Sequence, residues 1–161
     1  MNHNPRMQTQ RGVAAIEFAL VFVVFFALLY AFATFGAVFY TQQAVSRAAG
    51  DGARAAVLLP PVVSFNQSAV QNVVLHSLAG SLIVPLANAT TQSSRKAWLS
   101  DSQHTTVTVT PGCLNAGGIA GCVTVSVQYQ YARNRLLPSL PLLDTSTWMP
   151  DTLVGQATVR L

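Results

Sequence analysis

A chain of 161 residues has room for one domain, and setting a membrane helix aside would leave roughly 120 residues, enough for one modest core but not for a second catalytic domain. Charged residues make up 9% of the chain and apolar ones 51%, a charge content low enough to point toward lipid or partner protein. The net charge of +4 comes from nine scattered basic residues with Arg95-Lys96 as the only adjacent pair, which argues against nucleic acid as a partner because phosphate-backbone recognition needs clustered cations.

The first element in chain order is apolar. Residues 18–40 carry no charge, and at ~1.5 Å rise per residue they cover the ~30 Å hydrocarbon core of a bilayer. Arg6 and Arg11 precede this stretch with no acidic residue before Glu17, so the positive-inside rule keeps the short N-terminal tail in the cytoplasm and exports the chain beyond Tyr40. A cleaved secretory signal is the rival reading, with Ala31-Phe32-Ala33 as its small-x-small site. Against it stand Glu17 at the head of the apolar stretch and the continuation of that stretch beyond Ala33. Taken alone, Glu17 fits the first turn of a spanning helix, where a carboxylate favours the N-terminal dipole and reaches toward head groups.

The flanking residues add a second meaning. A glycine at position 12, a short cationic tail before it, a carboxylate five residues later and then Phe18 resemble a type IV prepilin processing site. The longer string Arg11-Gly12-Val13-Ala14-Ala15-Ile16-Glu17-Phe18-Ala19-Leu20-Val21 resembles the opening of the TadE-like proteins of tight-adherence (Flp-type) pilus machines. Further along, Ala44-Val45-Ser46-Arg47-Ala48-Ala49-Gly50-Asp51-Gly52-Ala53-Arg54 is similar to the Ala/Arg/Gly-rich segment that comes after the membrane span in that family, with two glycines where relatives tend to carry one.

The resemblance implies cleavage by a membrane prepilin peptidase between Gly12 and Val13, with residues 1–12 as a cytoplasmic leader. It also implies that Glu17 and Phe18 serve assembly and registry with other pilin or pseudopilin subunits on the inner-membrane pilus platform. Once freed, the α-amino group of Val13 would lie one helical turn from Glu17 on the same face. A lone charge is costly in lipid, so pairing Glu17 with an amine of a neighbouring subunit would relieve its desolvation and favour assembly in register.

A helix extension is expected over residues 41–59, ended by Pro60-Pro61, with a bend at Gly50 or Gly52 because glycine weakens a helix by about 1 kcal/mol relative to alanine. Ala44, Ala48, Gly52 and Ala56 recur every fourth residue, and Ala33 with Ala37 does likewise. Such a small-residue ridge suits either the close approach of a partner helix or packing against the chain's own domain. Around Asp51, Arg47 and Arg54 are spaced for weak surface pairs.

A second helix starts at Ser64 or Asn66 and runs toward Gly80, with Val70, Val74 and Leu78 in one row and Val73 beside it, facing a core. Residues 87–104 are polar and aperiodic and read as loop, with a short helical turn around Trp98. The clearest strand is 123–131, where Val123, Val125, Val127, Tyr129 and Tyr131 alternate with Thr124, Ser126, Gln128 and Gln130. Residues 106–110 share that period, and Ala157, Val159 and Leu161 alternate around Thr158 and Arg160, giving three antiparallel strands. Between the second and third, residues 133–150 hold three prolines and read as an extended connection, with Leu136, Leu137, Leu140, Leu142 and Leu143 covering the sheet or meeting a partner.

Cys113 and Cys122 flank a turn-rich segment, which suits a disulfide closing a hairpin loop in an oxidising compartment, with free thiols or a metal pair as alternatives. His3, His76 and His104 lie far apart, and no phosphate-binding glycine loop, nucleophile elbow or paired carboxylates occur, so no cofactor and no enzymatic role are expected. The expected class is α+β: a leader over 1–12, a transmembrane helix over 13–40, its extension over 41–59, and over 60–161 a periplasmic domain in which a second helix packs on a roughly three-stranded antiparallel sheet. The function this implies is that of a minor pilin or pseudopilin, with a membrane-anchored periplasmic module that never enters a filament as the alternative.

Overall fold

A computed structural model describes residues 9–58, 66–114, 120–137 and 149–160. The chain is α+β, with elements α1 (Thr9–Leu58), α2 (Gln67–Ala79), a 3-10 turn (Leu86–Asn88), α3 (Gln92–Leu99), β1 (Thr105–Leu114), β2 (Ala120–Tyr129) and β3 (Leu153–Arg160). It forms two compact units, Met1–Val38 and Phe39–Leu161.

In the first unit α1 is apolar and open to its surroundings. From Val13 through Phe32 its large apolar side chains are exposed, and its apolar window has no buried share. A core helix of a soluble protein would hide that surface, whereas a helix of this length and hydropathy can cross a membrane. Where a hydroxyl does occur, at Thr34, it bonds back to the carbonyls of Tyr30 and Ala31 at 2.8 Å each, the usual way to satisfy a polar group on an apolar helix.

The second unit is built on the alternation of β2. Val123, Val125, Val127 and Tyr129 are fully buried, while Thr124, Ser126 and Gln128 face the other way. The strand ends at Tyr129, and Tyr131, still buried, lies in the adjoining turn. The sheet order is β1-β2-β3, antiparallel throughout, with Val109 opposite Val125 and Val125 opposite Ala157. Both edge strands are longer than the sequence period suggests, β1 starting at Thr105 and β3 at Leu153. A helix glutamine covers a main-chain carbonyl on each: Gln71 Nε2 donates to Val107 O at 3.1 Å and Gln42 Nε2 to Val154 O at 2.9 Å. Such contacts blunt an edge that would otherwise invite another strand.

The buried face of the sheet meets α2 and the C-terminal part of α1. Asn66 caps α2 by accepting from Ala69 N, and the row Val70, Val74, Leu78 is buried as its spacing requires. Val73, expected beside that row, is instead 38% exposed, because it sits on the flank of the helix rather than over the sheet. On α1, Val45, Ala48, Ala49, Gly52, Ala53 and Ala56 are buried, so the Ala48, Gly52 and Ala56 part of the small-residue ridge packs on the chain's own domain, while Ala44 is half-buried and Ala33 exposed.

The backbone of α1 is helical through both Gly50 and Gly52, and Gly52 has a packing role. A Cβ there would come within 2.5 Å of Val74 Cγ2 and 3.2 Å of Val125 Cγ1. The absent side chain lets α1 approach α2 and the sheet together.

Residues 92–99 correct the loop reading. They form α3, capped by Thr91, whose hydroxyl accepts from Ser94 N while Ser94 Oγ accepts from Thr91 N at 3.1 Å. The stop at Pro60-Pro61, the cap at Ser64, the leucines at 140, 142 and 143, and Leu161 lie outside the described residues.

Tyr129 ties the sheet to the loop after α2. Its buried hydroxyl donates to Ile83 O at 2.9 Å, and burial, reinforced by the neighbouring Tyr131, pushes the phenol well above its ordinary range. Removing the hydroxyl in Tyr129→Phe leaves Ile83 O without its donor and is expected to destabilise the domain by roughly 1–2 kcal/mol in thermal melts near neutral pH. The raised folded-state value also sets a sign: stability from this group is complete below about pH 10, where the unfolded phenol is still neutral, and is lost as pH rises further. Part of the alkaline decline in melting temperature should therefore vanish in the variant.

Candidate functional site

The residues singled out near the N-terminus share the opening turns of α1. Gly12, Val13, Glu17 and Phe18 are all exposed there, and Val13 and Glu17, four apart, lie on one helical face. Among the described residues no atom lies within 4 Å of a Cβ built on Gly12, so none of them demands glycine at this position. Phe18 begins an aromatic ladder along the same helix. It stacks on Phe22 at 6.0 Å between ring centroids, and Phe22 stacks on Phe26 at 6.3 Å. Offset pairs at i, i+4 stiffen a helix locally and present one continuous aromatic stripe.

Cys113 and Cys122 belong to the second unit. Cys122 is buried on β2 opposite Gly112, and its Sγ would lie 3.6 Å from a Cβ built on that glycine. The paired positions continue at Leu114 and Ala120, leaving Cys113 in the same stretch of ladder; its side chain and residues 115–119 lie outside the described residues.

A polar cluster that the linear sequence hides lies in the same unit. Ser77 Oγ donates to Asp51 Oδ2 at 2.6 Å, tying α2 to α1, and Asp51 also holds Arg54 at 3.7 Å across one helical turn. Leu82 N donates to the Tyr40 hydroxyl at 3.0 Å, fixing the loop after α2 against α1. Beside these contacts a groove of about 840 Å³ opens between α1, α2 and α3, with Arg47, His76 and Lys96 among its lining. His104 is placed elsewhere, stacked on Trp98 at 3.8 Å with its Nδ1 3.1 Å from Asn134 Oδ1. Among the described residues no three His, Cys, Asp or Glu side chains converge as metal ligands.

An exposed apolar helix long enough to cross a membrane, headed by a glycine and a carboxylate, leads into a small α+β domain. Residues 12–54 match the family model described as TadE-like protein. The matched segment begins at Gly12, one residue inside the first stretch that resembles the family, and ends at Arg54, the last residue of the second. No curated protein and no solved structure matches the chain.

Proposed function

We propose that the chain is a minor pilin or pseudopilin-like component of a tight-adherence pilus system. In this reading it inserts once into the bacterial inner membrane, with residues 1–12 as a cytoplasmic leader, residues 13–40 as the span, residues 41–59 as its helical extension and residues 60–161 as a periplasmic domain. A prepilin peptidase cuts between Gly12 and Val13, and the freed helix enters, primes or caps a fibre through contacts with other pilin subunits and the assembly platform.

The carrying observation is that the TadE-like match begins at Gly12, the residue heading an exposed apolar helix long enough to span. The open space around Gly12 supports a recognition role, since none of the described residues requires the glycine. The chain supplies no chemistry in this role. Its domain is a shape for partners to hold. A Cys113–Cys122 disulfide stiffens that domain, supported by the burial of Cys122 and the closeness of the two positions on paired strands; closing about ten residues is worth roughly 2.5–3 kcal/mol in the chain-entropy picture.

One experiment tests the reading. Cells expressing the full chain are sheared, and protein from the fibre and membrane fractions is alkylated without reductant and weighed intact. The expected product begins at Val13, occurs in the fibre fraction and takes up no alkyl group. A chain beginning at Met1 and confined to the membrane would overturn processing and incorporation together, leaving a periplasmic anchored module. Two alkylated cysteines would remove the disulfide alone.

A further inference from the structure

The groove between α1, α2 and α3 is unexplained by pilus assembly. Each helix contributes one cationic or protonatable side chain to it: Arg47 from α1, His76 from α2 and Lys96 from α3. Arg47 and His76 are exposed and Lys96 is half-buried, so all three are open to a solute of opposite sign entering the groove. The acid in the lining, Asp51, is already engaged by Ser77 at 2.6 Å and by Arg54 at 3.7 Å. Neutral donors surround the cations. The Tyr40 hydroxyl accepts from Leu82 N and so keeps its own proton to give, and Gln92 reaches within 3.4 Å of His76 Nε2, joining the walls contributed by α2 and α3.

Several N–H and O–H donors and two cationic side chains lining one open groove suit a tetrahedral oxyanion, which accepts from many directions at once. We propose that this groove binds a phosphate group, supplied by the headgroup of an anionic phospholipid. Two features favour the lipid over a free anion. Tyr40, in the groove wall, is also the last aromatic residue of the apolar stretch and is followed by the polar residues Thr41, Gln42 and Gln43, where a spanning segment reaches the headgroup layer. Val73, 38% exposed on the flank of α2, gives the lining an apolar side chain for the glycerol and first methylenes. The choice of lipid rests on the membrane reading above; the phosphate site itself does not.

The test uses the full chain in neutral detergent, titrated by calorimetry with dihexanoyl phosphatidylglycerol, dihexanoyl phosphatidylcholine and inorganic phosphate. Phosphatidylglycerol should bind about tenfold or more tighter than phosphatidylcholine, and the double variant Arg47→Gln/Lys96→Gln should lose about tenfold or more of that affinity, as expected when charge-assisted bonds are removed. Each single variant should lose part of it, which keeps the comparison valid if the double variant melts early.

The control removes two exposed arginines away from the groove, Arg133→Gln/Arg160→Gln, and should stay within about twofold of wild type, because general attraction between exposed charges is weak and screened. Inorganic phosphate binding as tightly as the lipid, and lost with Arg47 and Lys96, would retain the anion site and overturn its assignment to a headgroup. Equal binding of the two lipids without phosphate binding, or equal losses in both double variants, would overturn the site. Because none of these readouts depends on cleavage or fibres, a failed pilus reading would leave the result interpretable.

Discussion

Replacing Gly155 with alanine is expected to prevent the second unit from folding stably. A Cβ at this position would lie 2.7 Å from Val45 O and 2.8 Å from both the nitrogen and the Cα of Ser46. All three atoms belong to the main chain of α1, so no rotamer change can clear them, and relief requires the helix to withdraw from β3. That withdrawal would loosen the buried face of α1 and disturb the bond from Gln42 to Val154 O. Overpacking that forces backbone to move costs roughly 3 kcal/mol or more, a large fraction of the 5–15 kcal/mol that stabilises a typical domain.

Gly50→Ala provides the contrast. Nothing lies within 4 Å of a Cβ at Gly50, and a helical alanine there should be neutral or stabilising by up to about 1 kcal/mol. Full-length protein in detergent, melted while circular dichroism is monitored, separates the two variants. A Gly155→Ala protein that melts with wild type would mean that α1 and β3 are not pressed together as described.

Gly155 also explains why β3 is only partly legible in the sequence. The strand alternates from Leu153 through Gly155 to Ala157 and Val159, but a glycine carries no apolar signal, so the period is visible only from Ala157 onward. In β2 the inward positions from Val123 to Tyr129 are all Val or Tyr, and that part of the strand is legible from this alone. The helix α3 is hidden because its capping box uses Ser94 where the usual signature has Glu or Gln, and because its composition is polar enough to read as loop.

The close packing at Gly52 is not legible in the sequence, since a glycine's clearance is set by neighbours distant in the chain, here Val74 and Val125. The resemblance of residues 12–18 to a processing site is carried by one contiguous string, so it needs no tertiary structure to be seen. The groove is not legible in this way, because Arg47, His76 and Lys96 come from three helices and meet only through the tertiary fold.

Changing Glu17 to glutamine should separate membrane insertion from assembly. Glutamine keeps the size of the side chain and its hydrogen-bonding capacity but removes the charge, so transfer of the helix into lipid becomes easier. The residues flanking the proposed cut, Gly12 and Val13, are untouched, and the helix around position 17 is exposed, with no core to collapse. Insertion and processing should therefore match wild type.

Incorporation should not. If a neighbouring subunit's α-amino group answers the carboxylate inside lipid, loss of that charge-assisted pair costs roughly 1.5–3 kcal/mol, and the sheared fibre should hold on the order of tenfold less of this subunit. Quantitative mass spectrometry of the fibre and membrane fractions reads both quantities in one sample. Glu17→Asp, which keeps the charge on a shorter arm, should recover part of the incorporation. Glu17→Gln entering fibres at the wild-type level would leave the carboxylate its simpler role at the helix N-terminus, favoured by the dipole and reaching the head groups, with registry set instead by the aromatic ladder from Phe18 through Phe22 to Phe26.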